Sequence, residues 1–459
     1  RMNIEKTIGQ MTLEEKASLL SGYQNMATYP IERLSIPSLT LSDGPNGLRI
    51  EKKDGNSMSG ISNTLPSTCF PSGVNLASSF DKELIHQIGN AIAEECVHYD
   101  VNIVLGPAIN IKRNPLGGRN FEYYSEDPFL SGKIAESYVE GVQENGKVGC
   151  CLKHYACNNN EKYRYVGDSI VDLRALHEIY LKPFEMAVRN AHPFAIMSAY
   201  NKVNGIHCSE NGYLQNEILR HSVNLLIDKV KNKEMDISLL DQSVRRILKT
   251  IEKTRIEERK EADFKKDYDL AVKAVENSAV LLKNDDDILP LKKEEKYIGI
   301  GDFFDKIRYQ GSGSALLNPY YLYSHHEIFD KNKINYEFYQ GFKEEETKVN
   351  EELEKRTHKD YLTTKKMLAV DAPEFLNLAD GDKEALKHLV KAAVVLDKIN
   401  MQLDNPNNLP FKEYLDKEIE KGNEDAKLTK ILFDAQKGVC SLDRESNMIE
   451  LAKGVSMRA

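Results

Sequence analysis

Short apolar runs alternate with stretches of helical periodicity over the first 255 residues. Four runs are clear: "SLTLSDGP" (38–45), "VNIVLGPAIN" (101–110), "VGCCLKHYACNNN" (148–160) and "FAIMSAYNKVNG" (194–205). Each ends in polar, Gly or Pro residues. Between them lie amphipathic stretches such as "KELIHQIGNAIAEECVHY" (82–99) and "LRALHEIYLKPFEMAVRN" (173–190). Strands alternating with helices predict a parallel sheet. Uniformly apolar strands with chemistry at their C-terminal ends predict a (β/α) barrel. The same alternation also fits a doubly wound sheet.

The pattern then changes. Residues 254–268, "TRIEERKEADFKKDY", are strongly charged and read as a linker or solvated helix. "DLAVKAVENSAVLLKND" (269–285) reads as a helix running into a strand, and "KYIGIGDFF" (296–304) and "INYEFYQGF" (334–342) as further strands. These open a second α/β unit with too few strands to complete it. After a charge run at 343–360, the stretch from Tyr361 to Ala459 is almost wholly helical in pattern, with "NPNNLP" (405–410) as a loop. The expected architecture is α/β: a (β/α) barrel domain over 1–253, a linker over 254–268, a partial α/β sandwich domain over 269–345 and an all-α C-terminal region over 361–459.

Composition narrows the partners. The chain carries 71 acidic and 62 basic residues, a net charge of −9. That balance argues against nucleic acid or an anionic membrane held by bulk electrostatics. No apolar window approaches the roughly 18 residues of a membrane helix. The start, "RMNIEKTIGQMTLEEKASLL", is an amphipathic helix pattern and not a signal peptide. The seven cysteines are odd in number and form no CxxC, which predicts reduced thiols, a cytoplasmic setting and no zinc. No cofactor or metal is expected. The chain contains no Trp, the residue most often stacked on a sugar ring.

Charged groups cluster after the apolar runs. Asp43 and Arg49 lie in "LSDGPNGLR", Arg119 and Glu122 in "NPLGGRNFEYYSEDP", and Lys153, His154, Glu161 and Arg164 in "LKHYACNNNEKYR". Tyr200 and Asn201 close "MSAYN". On a barrel these clusters converge on one mouth. Asp, Lys, His and Arg with little apolar lining suit the hydroxyls of a sugar.

"SDGPNGLR", "GPAINIKRNPLGGRNFEYYSEDPFLSG", "KHYACNNNE" and "IMSAYNKVNGIHCSEN" resemble the successive motifs of family 3 glycoside hydrolases, the β-glucosidase group. The resemblance runs over about residues 5–342. It implies a (β/α) barrel paired with an α/β sandwich and retaining hydrolysis of β-linked glucosides or related sugars. Carried over by position, it implies that Asp43, Arg49, Arg119, Lys153, His154, Arg164 and Tyr200 hold the sugar ring. Asp43 would accept from two hydroxyls, Lys153 and His154 would donate, and the arginines would make charge-assisted bonds. For Arg49 and Arg164 an ion pair within the mouth is the plainer reading.

One expected part is missing. Retaining enzymes need two carboxyls about 5–5.5 Å apart. The family's nucleophile is an Asp in a Ser-Asp-Trp motif, on a strand some tens of residues after the position of Tyr200. Here "NEILR" runs straight into "HSVNLLIDKVKNKEMDISLLDQSVRRIL", so the motif is absent between Arg220 and His221. The barrel is therefore expected to be incomplete. Asp228 reads as the polar side of a helix and Asp236 as an N-cap. The acid/base Glu of the second domain has no counterpart, and Glu344, Glu345 and Glu346 belong to a charge run. At most trace hydrolysis is expected. Alternatives are a non-catalytic sugar-binding relative, or a helical interaction module whose C-terminal helices take a protein partner. "KKMLAVDAPEFLNL…" from Lys365 is faintly similar to the N-terminal helical region of dipeptidyl-peptidase III-like proteins. No HExxGH zinc motif follows it, so no peptidase chemistry is implied.

Overall fold

The computed structural model describes residues 2–23, 26–50, 64–161, 164–219, 237–305, 307, 309, 317–339, 343–345, 366–368, 408–423, 426, 430, 440–442 and 448–450. The Arg220–His221 junction, Asp228, Asp236, Glu346 and most of the stretch 361–459 lie outside the described residues. The chain forms two compact units: residues 1–286 with 308–322, and residues 287–307 with 323–459.

The first unit opens with α1 (Ile4–Gln10) and α2 (Leu13–Leu19). The sequence predicts one amphipathic helix here. Thr12 divides it, because Thr12 and Glu15 form a reciprocal capping box that starts a new helix. Next come β1 (Leu41–Asp43), α3 (Gly73–Ser78), α4 (Lys82–Tyr99), β2 (Ile103–Leu105), α5 (Pro128–Gln143) and β3 (Gly149–Tyr155). The run ends with α6 (Lys182–Ala191), β4 (Ala195–Ser198), α7 (Ile237–Lys253) and α8 (Phe264–Ser278).

The four main strands are parallel and adjacent in chain order, β1-β2-β3-β4. Sequential order is the winding of a barrel. A doubly wound sheet reverses direction at a switch point, so that alternative is not what folds. Among the described residues the sheet holds these four strands.

Alternate strand residues feed two cores, as the pleat requires. Val104, Cys150 and Leu152 pack with α4, α5 and α6. Ile103, Leu105 and Cys151 face the other way, into a cluster with Ile8 and Leu19 of α1 and α2. Leu240, Val244, Leu248 and Ile251, one stripe of α7, complete that cluster. Arg245 on α7 holds Glu5 on α1 through two hydrogen bonds of 2.6 and 2.8 Å. Helices α4 and α5 cross closely: a Cβ on Gly141 would lie 2.1 Å from the His86 carbonyl oxygen.

Three expectations change. Residues 264–268 are not linker: they are the first turns of α8, capped by Asp263 and carrying the buried Asp267. Residues 279–284 form no strand, and Leu281 and Leu282 lie exposed there. Residues 318–319 pair in parallel with 66–67, so the first unit takes in a segment that the sequence assigns to the second domain.

The second unit opens with β5 (Lys296–Ile300), α9 (His325–Asn332) and β6 (Asn335–Tyr339). β5 and β6 pair in parallel, Lys296 opposite Asn335, a β-α-β arrangement. The C-terminal region is not all-α. Within it Lys366–Leu368 form β8, paired antiparallel with β7 (Lys343–Glu345), and β9 (Cys440–Leu442) pairs antiparallel with β10 (Met448–Glu450). "CSL" and "MIE" flank a polar "DRESN" of turn-forming composition, which the helical reading overlooked. The helix α10 (Asn408–Glu420) starts inside the expected 405–410 loop. Pro410 lies in its first turn, where a missing N–H costs nothing.

Candidate functional site

The C-terminal ends of β1, β2 and β3 build one polar mouth. β1 ends at Asp43, which is buried. The chain turns back at once, and the Arg49 N–H donates to the Asp43 carbonyl at 2.9 Å. This turn requires glycine: Gly44 has φ +124°, and a Cβ there would lie 1.6 Å from the Gly47 carbonyl oxygen. The loop after β2 brings Arg119 and Glu122. β3 supplies Lys153 and His154, both buried, and the loop beyond it supplies Glu161 and Arg164.

These side chains alternate in charge. Lys153 Nζ lies 3.5 Å from Asp43 Oδ1 and 3.9 Å from Glu122 Oε2. Arg119 Nε donates to Glu122 Oε1 and lies 4.0 Å from Glu161 Oε1. Arg164 donates to Glu161 at 3.1 Å. The order Asp43, Lys153, Glu122, Arg119, Glu161, Arg164 therefore holds three acids and three bases. Each buried charge has an opposite neighbour, without which burial would cost several kcal/mol. Removing one member would leave an uncompensated charge.

His154 is anchored on both sides. Its N–H donates to Asn110 Oδ1 and its carbonyl accepts from Asn110 Nδ2, both at 2.8 Å. Burial, then the cations Arg119, Lys153 and Arg164, hold its pKa well below the ordinary imidazole value. The ring is neutral at pH 7. Its Nδ1 lies 3.4 Å from the Tyr123 hydroxyl.

Six of the seven sequence-named residues stand in this arrangement in different ways. Asp43, Lys153, Arg119 and Arg164 join the charge chain directly, His154 borders it, and Arg49 enters by its backbone bond to Asp43. The ion-pair reading of Arg164 is met by its bond to Glu161. Tyr200 stands apart at the rim, 55% exposed. Its ring lies 4.8 Å from that of Tyr165 and 5.3 Å from the Arg164 guanidinium. Tyr165 also accepts from Arg164 at 2.9 Å. Sequence reasoning placed Glu122 and Glu161 in the polar clusters without assigning them a role, and it missed the parts played by Tyr123, Asn110, Asn158 and Tyr165. Glu122 and Glu161 each lie three residues from an arginine they bind, a spacing that could have assigned that role. Among the described residues no group of three or more His, Cys, Asp or Glu could hold a metal ion.

A parallel sheet wound in chain order, with its polar residues gathered at the C-terminal strand ends, defines a (β/α)-barrel-like protein with a hydrophilic mouth. Residues 55–226 match the model of the glycosyl hydrolase family 3 N terminal domain. The chain is 43% identical to thermostable β-glucosidase B of Acetivibrio thermocellus over 393 residues, covering 77% of this chain and 52% of that protein. It is 37% identical to an exo-α-(1→6)-L-arabinopyranosidase of Bifidobacterium longum, covering 73% and 50%. Among solved structures, β-glucosidase 3B from Thermotoga neapolitana in complex with α-D-glucose matches at TM-score 0.65 and 35% identity, covering 73% of this chain and 55% of that one. β-Glucosidase from Kluyveromyces marxianus in complex with glucose matches at TM-score 0.68 and 35% identity, covering 76% and 46%. The chain belongs to glycoside hydrolase family 3. It spans about half the length of the curated relatives it matches. The 393-residue stretch aligned with the Acetivibrio protein is longer than 77% of 459 residues, so that protein carries residues within it that this chain lacks.

Proposed function

We propose that this chain binds the sugar ring of a β-glucoside or related β-linked sugar in the mouth formed by Asp43, Arg119, Lys153, His154 and Arg164. The observation that carries the reading is the alternating charge chain. It presents carboxylate, ammonium and guanidinium groups, pre-oriented by one another, to a ligand made of hydroxyls. Asp43 accepts from the sugar, and Lys153 and His154 donate to it. The two glucose-bound structural neighbours described above are β-glucosidases, which supports glucose as the first ligand to test.

The family reaction, retaining hydrolysis, needs a carboxylate free to attack and a second carboxyl to move the proton. The acids of the described mouth are Asp43, Glu122 and Glu161, and each is engaged by a lysine or arginine. None is a free nucleophile. We therefore infer sugar binding with at most trace hydrolysis, a non-catalytic relative in practice. The partial α/β unit around β5, α9 and β6 is read as the start of the family's second domain, and the C-terminal helix α10 as a surface for a protein partner.

The test is an aryl β-glucoside assay beside glucose titration by ligand-observed NMR. Glucose binding that is lost in Lys153→Ala, with no measurable aryl glucoside turnover, is the expected result. Robust turnover would overturn the non-catalytic reading, and absence of glucose binding would overturn the site.

A further inference from the structure

A histidine that donates to a ligand must carry its proton on the nitrogen that faces the ligand. A neutral imidazole has one donor and one acceptor, and the tautomer is set by the partner of the other nitrogen. The structure supplies that partner from outside the charge chain.

Asn158 is the starting point. Its Nδ2 lies 3.0 Å from the Tyr123 hydroxyl oxygen and 3.2 Å from Glu161 Oε1. A carboxylate only accepts, so the amide nitrogen, and not its oxygen, must face Glu161. The same nitrogen then donates to Tyr123. With its oxygen occupied as an acceptor, Tyr123 has one hydrogen left to give. Among the described residues the other polar atom at that hydroxyl is His154 Nδ1, at 3.4 Å. Tyr123 is 1% exposed, and burial raises its pKa, so it keeps that hydrogen. His154 Nε2 makes no hydrogen bond among the described residues.

We propose that Tyr123 is a positioning residue: held by Asn158, it donates to His154 Nδ1 and fixes the ring as the Nε2–H tautomer, leaving that N–H to bind a sugar hydroxyl. The role of the free N–H rests on the sugar-site reading given above. The tautomer itself does not. Donation runs outward from the Asn158 amide, which gives one hydrogen to Glu161 and the other to Tyr123, and Tyr123 gives its own to His154. An acidic residue of the charge chain thus orients a neutral donor beside it. The Asn110 clamp fixes the His154 backbone from which the ring projects.

The experiment is long-range ¹H–¹⁵N correlation on the full chain with ¹⁵N-labelled histidine at pH 7. The chain has 11 histidines, and the signals missing from His154→Gln identify His154. The unsubstituted protein is expected to show the Nε2–H pattern, and Tyr123→Phe, which keeps the ring but not the donor, a mixture or the Nδ1–H pattern. Glucose affinity in Tyr123→Phe is expected to fall about ten-fold, the loss of one well-placed hydrogen bond. An Nδ1–H pattern in the unsubstituted protein overturns the proposal, whether or not the variant folds. So does the same pattern and the same affinity in both. If the tautomer shifts as expected but neither protein binds glucose, the assignment of Tyr123 holds and the sugar reading falls.

Discussion

At the scale of single residues, the molecule separates charges that are paired from charges that are merely buried. Asp43, Glu122 and Glu161 each have a cation within reach. Glu95, on α4, has none among the described residues. Both its oxygens accept from the Thr68 N–H, at 3.1 and 3.2 Å, and burial pushes its pKa up to about 8. Asp267 on α8 is fully buried, and burial pushes it up to about 7. Both pKa values are raised above their unfolded values, so the folded state holds these protons longer than the unfolded chain. The associated stability is complete below about pH 4 and is lost as pH rises toward 8. Chemical denaturation should therefore show lower stability at pH 8.5 than at pH 6, by an amount on the order of a few kcal/mol. Glu95→Gln keeps an acceptor for Thr68 and should flatten that difference. An unchanged pH slope in the variant would mean that Glu95 is ionised in the fold.

At the scale of elements, the legible parts were those where local chemistry and tertiary packing agree. "KELIHQIGNAIAEECVHY" forms α4 over Lys82–Tyr99 because its periodicity and its Asp81 cap coincide. The division of the N-terminal helix was written in Thr12 and Glu15, and periodicity alone overlooked it. The close crossing of α4 and α5 was not legible, because a glycine inside a helix reads only as a weak helix former. Its reason is the neighbouring backbone. Gly141→Ala should destabilise the protein by about 1–3 kcal/mol, the usual result of overpacking against a backbone that cannot yield. Urea denaturation measures this directly, and a stabilised variant would contradict the crossing geometry.

At the scale of the whole molecule, ligand binding and stability are one equilibrium. A ligand that binds only the folded state raises the unfolding free energy by about 2.7 kcal/mol at a hundred times its Kd. Glucose should therefore raise the thermal midpoint, and the rise should disappear in Asp43→Ala while the unliganded variant still unfolds cooperatively. A rise that survives in Asp43→Ala would place the sugar somewhere other than the mouth.

The sequence by itself determined the strand and helix order of the first unit, the polar clusters at the strand ends and the family, because these depend on residues close together in the chain. Periodicity reports which face of an element is apolar, and a motif reports which groups follow a strand. Neither reports what lies across space. Only the tertiary structure decided that the strands pair in chain order, so that Asp43, Glu122 and Lys153 meet although 110 positions separate the first from the last. It also decided that α1, α2 and α7 cover the second face of the sheet, that α8 belongs to the first unit, and that Glu161 reaches His154 through Asn158 and Tyr123. The physical reason is the same throughout: hydrogen bonds and ion pairs act over a few ångströms, and the fold chooses which distant residues come within that distance.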